Sequence, residues 1–81
     1  MLRIGTKTKL SPELTIKNAI DFFGPNGFKL KVVSQTDTSV GFEGGGGSIG
    51  ITACKENGKT SVEFLSTEWD FQVKEFIKAI R

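Results

Sequence analysis

Hydrophobic and polar positions change period twice along the chain. Residues 12–23 carry a helical repeat, with Leu14, Ile16, Ala19, Ile20 and Phe23 on one stripe and Lys17, Asn18 and Asp21 facing away. Ser11 is a good N-cap and Pro12 suits the first helical position. Glu13 is favourable near the positive end of the helix dipole. Gly24 and Pro25 stop the helix, with glycine expected in the left-handed position beyond the cap, and Asn26-Gly27 completes the turn.

The period then becomes two. Phe28, Leu30 and Val32 alternate with Lys29, Lys31 and Val33, and Val40 and Phe42 with Ser39, Gly41 and Glu43. Ile49, Ile51 and Ala53 alternate with Gly50, Thr52 and Cys54, and Val62 and Phe64 with Ser61, Glu63 and Leu65. Each of these four strands has one apolar face and one small or polar face, the pattern of an antiparallel sheet covered on one side.

Turn chemistry sets the register. Asn57-Gly58 is a two-residue hairpin signal that pairs Glu56 with Lys59, Ala53 with Val62, Ile51 with Phe64 and Cys54 with Ser61. A hairpin centred on Gly44–Gly47 pairs Glu43 with Ser48, Phe42 with Ile49 and Val40 with Ile51. A three-residue loop at Gln35-Thr36-Asp37 pairs Val32 with Val40, Leu30 with Phe42 and Lys29 with Glu43. All three counts keep the apolar residues on one face.

A second helix is expected after Thr67 as N-cap, with Glu68 and Asp70 in its first turn. Trp69, Val73, Phe76, Ile77 and Ile80 lie on one stripe, and Lys74, Lys78 and Arg81 lie toward its negative end. Phe71 lies off that stripe. The order is α-β-β-β-β-α, an α+β two-layer sandwich: a four-stranded antiparallel meander with both helices on one face. Residues 1–9 alternate Leu2, Ile4, Thr6 and Thr8 with Arg3, Gly5, Lys7 and Lys9, which suits either a fifth edge strand or a basic tail.

Composition adds exclusions. With 81 residues, the chain is read as a single domain over 1–81. It is 37% hydrophobic and 25% charged with a formal net charge of +2, so overall charge declares no nucleic-acid or membrane partner. It has no His, no Tyr and one Cys, which excludes intramolecular disulfides, Cys/His zinc sites and His-based triads. No cofactor is implied. Without an apolar stretch fit for a secretory signal or a membrane span, and with a lone thiol, the expected compartment is the cytoplasm.

Candidate chemistry lies on the uncovered face. Lys29, Lys31, Gly41, Glu43, Gly50 and Thr52, with the run Gly44, Gly45, Gly46 and Gly47, are the candidate binding residues. The tetraglycine reads either as an anion cradle or as a mobile hairpin connection; a carboxylate at its mouth and no adjacent Lys favour the connection. Gly41 and Gly50 read either as a floor that a ligand or partner backbone can approach, or as a consequence of twist or packing. Cys54, beside Ser61 and with no His in the chain, has no activating base. Glu43 and Glu63 are separated by a strand, so no catalytic residue is assigned.

Arg3, Lys7, Lys9, Lys29 and Lys31 would gather at one edge if the N-terminal segment lay beside the Phe28–Val33 strand, the basis for an alternative reading as a weak nucleic-acid binder. Lysines at an edge also discourage strand-to-strand aggregation.

The element order, the Ser11-Pro12 start and the Glu68-Trp69-Asp70 segment resemble small prokaryotic, mainly archaeal, domains. Their fold is likened to half of the TATA-box-binding protein, a curved antiparallel sheet with helices on its convex side. The resemblance implies an open concave sheet as working surface. It carries no DNA binding, since the intercalating phenylalanines and the lysine-rich concave face have no counterparts here. The leading expectation is a non-catalytic binding or protein-interaction module that uses the open face, self-association included. A small enzyme is the least supported reading.

Overall fold

The computed structural model describes residues 1–25 and 27–81; Asn26, expected in the turn after the first helix, lies outside the described residues. The elements are β1 (Leu2–Thr8), α1 (Pro12–Phe23), β2 (Lys31–Gln35), β3 (Ser39–Gly44), β4 (Gly47–Glu56), β5 (Lys59–Thr67) and α2 (Asp70–Ile80). The sheet has five strands in the order β1-β5-β4-β3-β2, with every neighbouring pair antiparallel. The four-stranded expectation is therefore corrected to five. The alternating N-terminal segment is a strand that pairs with β5, from Leu2 opposite Ser66 to Thr8 opposite Thr60. Its partner lies more than fifty residues away, so no hairpin signal marks the pairing.

Both helices cover one sheet face. Phe23 of α1 and Phe76 of α2 stack at 5.5 Å, and rings of the sheet continue the contact: Phe42 lies 5.6 Å from Phe23, and Phe64 lies 6.0 Å from Phe76. These aromatic side chains are among the largest fully buried groups, with Ile49, Ile51, Val62 and Val73 filling between them. The expected α1 boundaries hold, and the Ser11 hydroxyl accepts from the Leu14 N–H at 3.2 Å. Within the stripe, Leu14 is exposed, while Thr15 is buried and donates its hydroxyl to the Ser11 carbonyl at 2.9 Å.

Gly24 ends α1 in extended rather than left-handed backbone. A side chain there would press on the Ile20 carbonyl oxygen at 2.4 Å, so close approach is what calls for glycine. Among the described residues of this connection, Lys29 takes left-handed backbone, at φ 65°.

The β4–β5 and β3–β4 pairings follow the expected register throughout. The β2–β3 pairing does not. Lys31 stands opposite Glu43 and Val32 opposite Phe42, a two-residue shift from the expected pairing, and a bulge at Val33 moves Gln35 opposite Val40. A two-residue shift keeps the side-chain faces, which is why hydrophobic alternation could not reveal it. Phe28 and Lys29 consequently fall outside the sheet, in the loop leaving α1. Phe28 is exposed, whereas Leu30 remains buried.

α2 starts later than expected. Its N-cap position is Trp69, without a side-chain cap, and Glu68 takes φ 70° to turn the chain off β5. Thr67 is the last residue of the strand. Two buried threonines tie the opposite end together. The Thr8 hydroxyl donates to the Ile80 carbonyl at 2.5 Å, and the Thr60 hydroxyl donates to the Leu10 carbonyl at 2.6 Å.

Candidate functional site

The uncovered face presents Ser39, Gly41 and Glu43 of β3; Ser48, Gly50, Thr52 and Cys54 of β4; Ser61, Glu63 and Leu65 of β5; and Arg3, Gly5 and Lys7 of β1. Its centre is a shallow hollow of about 300 Å³ crossing β2, β3, β4 and β5, with Gly41 and Gly50 directly paired in its floor. Val33, 48% exposed, and Leu65, 38% exposed, stand at opposite sides, and Met1 reaches the rim. Charges lie toward the periphery: Lys31 faces Glu43 across β2–β3, and Arg3 pairs with Glu63 at 3.7 Å. The pair is exposed and adds little to stability.

The two floor glycines differ. The bulge brings Ser34 and Val33 over Gly41, where a side chain would meet the Ser34 hydroxyl at 2.7 Å. Above Gly50 there is room, with only the Leu65 Cβ at 3.9 Å. Gly50 is therefore the position where the face is open down to its backbone.

The tetraglycine is not the four-residue loop expected. Gly44 and Gly47 are paired strand residues, and only Gly45 and Gly46 turn, both with positive φ (58° and 83°), the requirement of a tight hairpin whose twist matches its strands. Trp69 closes over this turn. Its indole N–H donates to the Gly44 carbonyl at 2.9 Å, and its ring lies 2.8 Å from where a Gly45 Cβ would stand. A Cβ on Gly47 would collide with the Thr67 carbonyl oxygen at 2.0 Å. Gly45 and Gly47 are thus demanded by neighbours. The hollow beside the turn is bordered by Glu43 and lined by no cation, which does not suit an anion.

Lys29 leaves the candidate face, since it belongs to the loop after α1, where its N–H donates to the Gly24 carbonyl at 2.9 Å. The expected basic edge does not form: β1 occupies one edge of the sheet and β2 the other, so three strands lie between Arg3 and Lys7 on one side and Lys31 on the other. Cys54 is exposed opposite Ser61, and its Sγ approaches only the Lys55 carbonyl, at 3.8 Å. Glu43 and Glu63 sit on β3 and β5 with β4 between, as expected, and Glu63 is engaged by Arg3. Among the described residues no three Cys, Asp or Glu side chains come together as a metal site would need.

Hydrophobic alternation did not bring out the Thr8 and Thr60 clamps or the Trp69–Gly44 bond. Thr alternation in residues 6–8 and a lone Trp at a strand-to-helix junction were their only traces.

No family model and no curated protein matches the chain. Among solved structures it is similar to the solution structure of the Aha1 dimer from Colwellia psychrerythraea, with a TM-score of 0.56 and 15% identity over 99% of this chain and 96% of that one. The likeness is one of fold. It agrees with an α+β domain built from an antiparallel sheet and two helices. No helix is long and apolar enough to cross a membrane.

Proposed function

We propose that this domain is a non-catalytic binding module that associates with a second copy of itself through the open face of the sheet. The carrying observation is the shallow hollow floored by Gly41 and Gly50 and walled by the exposed Val33 and Leu65, with Glu43 as the acidic side chain of its lining. An apolar centre inside a polar rim is the usual anatomy of a protein interface. The similar fold from Colwellia psychrerythraea is described as a dimer, which favours the same behaviour here. The half-saddle resemblance likewise makes the open sheet the working surface, and a reducing cytoplasm suits a domain whose single thiol is exposed.

The face is small. Five strands about 4.8 Å apart, with roughly six residues each at about 3.4 Å, cover about 400 Å² per copy, so a face-to-face pair buries roughly 800–1,000 Å². That is the low end for specific interfaces, the range of weak and transient association.

Sedimentation velocity across a concentration series tests the reading. The wild-type mass should rise from monomer toward dimer, and Gly50→Val, which fills the floor without striking backbone, should weaken association by about tenfold or more. A monomer at every concentration sinks the reading, and so does a Gly50→Val or Leu65→Lys protein that still dimerises like wild type.

A further inference from the structure

A second concavity lies at the other end of the molecule, where the end of β1, the β4–β5 hairpin and the last turn of α2 meet. It has a volume of about 330 Å³, and Lys7, Lys9, Lys59 and Arg81 line it together with Leu10 and Ile80. No Asp or Glu side chain is among its lining residues. The one acidic group at hand is Glu56, paired with Lys7 at 3.7 Å; Lys9, Lys59 and Arg81 are in neither of the two ion pairs among the described residues.

The dipole of α2 does not account for this charge. Arg81 stands where cations favour a helix C-terminus, but Lys7, Lys9 and Lys59 come from the sheet and its connections. The terminal Ile80 carbonyl is already satisfied by the Thr8 hydroxyl. The same hydroxyl accepts from the Leu10 N–H at 3.3 Å, and Thr60 holds the Leu10 carbonyl, so the backbone that frames the cleft is pinned from both sides. A pinned cleft lined by four cationic side chains, on a protein whose net charge is only +2, concentrates field on an anion that enters it. Its floor is apolar, made by the side chains of Leu10 and the buried Ile80.

We propose that this cleft binds a small amphiphilic anion, a phosphate or carboxylate head bearing a short apolar chain. The head lies among Lys9, Lys59 and Arg81, and the chain lies on Leu10 and Ile80. The site is at a different end from the hollow proposed for self-association and does not depend on it.

The test follows amide shifts of isotope-labelled protein titrated with hexyl phosphate, hexanoate, inorganic phosphate and hexanol at constant ionic strength. Hexyl phosphate or hexanoate should move the amides of Thr8, Lys9, Leu10, Lys59 and Ile80 in a saturable way. Each buried methylene adds several-fold, so the chain-bearing anion should bind at least about tenfold more tightly than inorganic phosphate, and hexanol should move none of these amides. The exposed double variant Lys9→Gln/Lys59→Gln should keep the wild-type spectrum elsewhere and lose about tenfold in affinity. The arms with the two head groups tell a phosphate ligand from a carboxylate one. Shifts scattered over lysines throughout the chain, equal affinity for inorganic phosphate, equal affinity of the double variant, or no shift with either chain-bearing anion each overturn the proposal.

Discussion

Single residues in this domain are decided by what lies against them. Ser66 is a clear case: it is buried on the core face, opposite Leu2 and Ile49, and its hydroxyl has no hydrogen-bond partner. An unpaired buried hydroxyl costs about 1–3 kcal/mol, so Ser66→Ala should raise the urea midpoint, a gain of roughly 1 kcal/mol at unchanged m-value. The glycines divide on the same principle. Gly46 has open space around it and needs glycine only for its backbone, so Gly46→Ala should cost about 1 kcal/mol. Gly47→Ala drives a methyl into a backbone oxygen and should cost clearly more, about 2–4 kcal/mol by the same denaturation. Spacing alone made these four glycines look alike; their separate reasons reside in Leu30, Trp69 and Thr67, which come from distant parts of the chain.

At the level of elements, what could be read in advance were features whose signal is local. Helix α1 announced both its ends, and the β3–β4 and β4–β5 hairpins were set by glycine-containing turns that admit one register. The β2 pairing went astray because the left-handed Lys29 and the bulge at Val33 leave no mark in an alternating pattern. β1 was legible as an alternation but not as a neighbour of β5, since that pairing is fixed by packing across most of the chain. The candidate face was legible in composition, and it lost Lys29 for the same reason the register slipped. The junction of β1 with α2 gives a further prediction. Thr8→Val removes the hydroxyl that serves the Ile80 carbonyl and should cost about 1–2 kcal/mol. Hydrogen exchange should quicken in the last turn of α2 and leave α1 protected; equal acceleration in both helices would place the loss elsewhere.

For the whole molecule, the two-layer arrangement leaves one surface of the sheet without a helical cover. Core rings from both helices and the sheet form one aromatic cluster, so the covered side is well filled. The uncovered side carries Arg3 and Lys7 on β1, Glu63 on β5 and Glu43 on β3. Both proposed sites draw on this asymmetry. The hollow uses the glycine-floored middle of the open face, and the cleft uses cations that the strand order sets away from β2. Because Lys9, Lys59 and Arg81 line the cleft, raising ionic strength should weaken the uptake of a chain-bearing anion, measured by the same amide-shift titration at increasing salt.

The chain has one tryptophan, and its ring spans the glycine turn, the Phe28 loop and the start of α2. That placement makes its emission a local gauge rather than a general one. Separation of the indole from Gly44 and Phe28 wets the ring, so its spectrum should move to longer wavelength when this corner opens, ahead of the loss of helical circular dichroism if the corner yields first. Coincident transitions would instead mean that the turn, the loop and the helix melt as one unit.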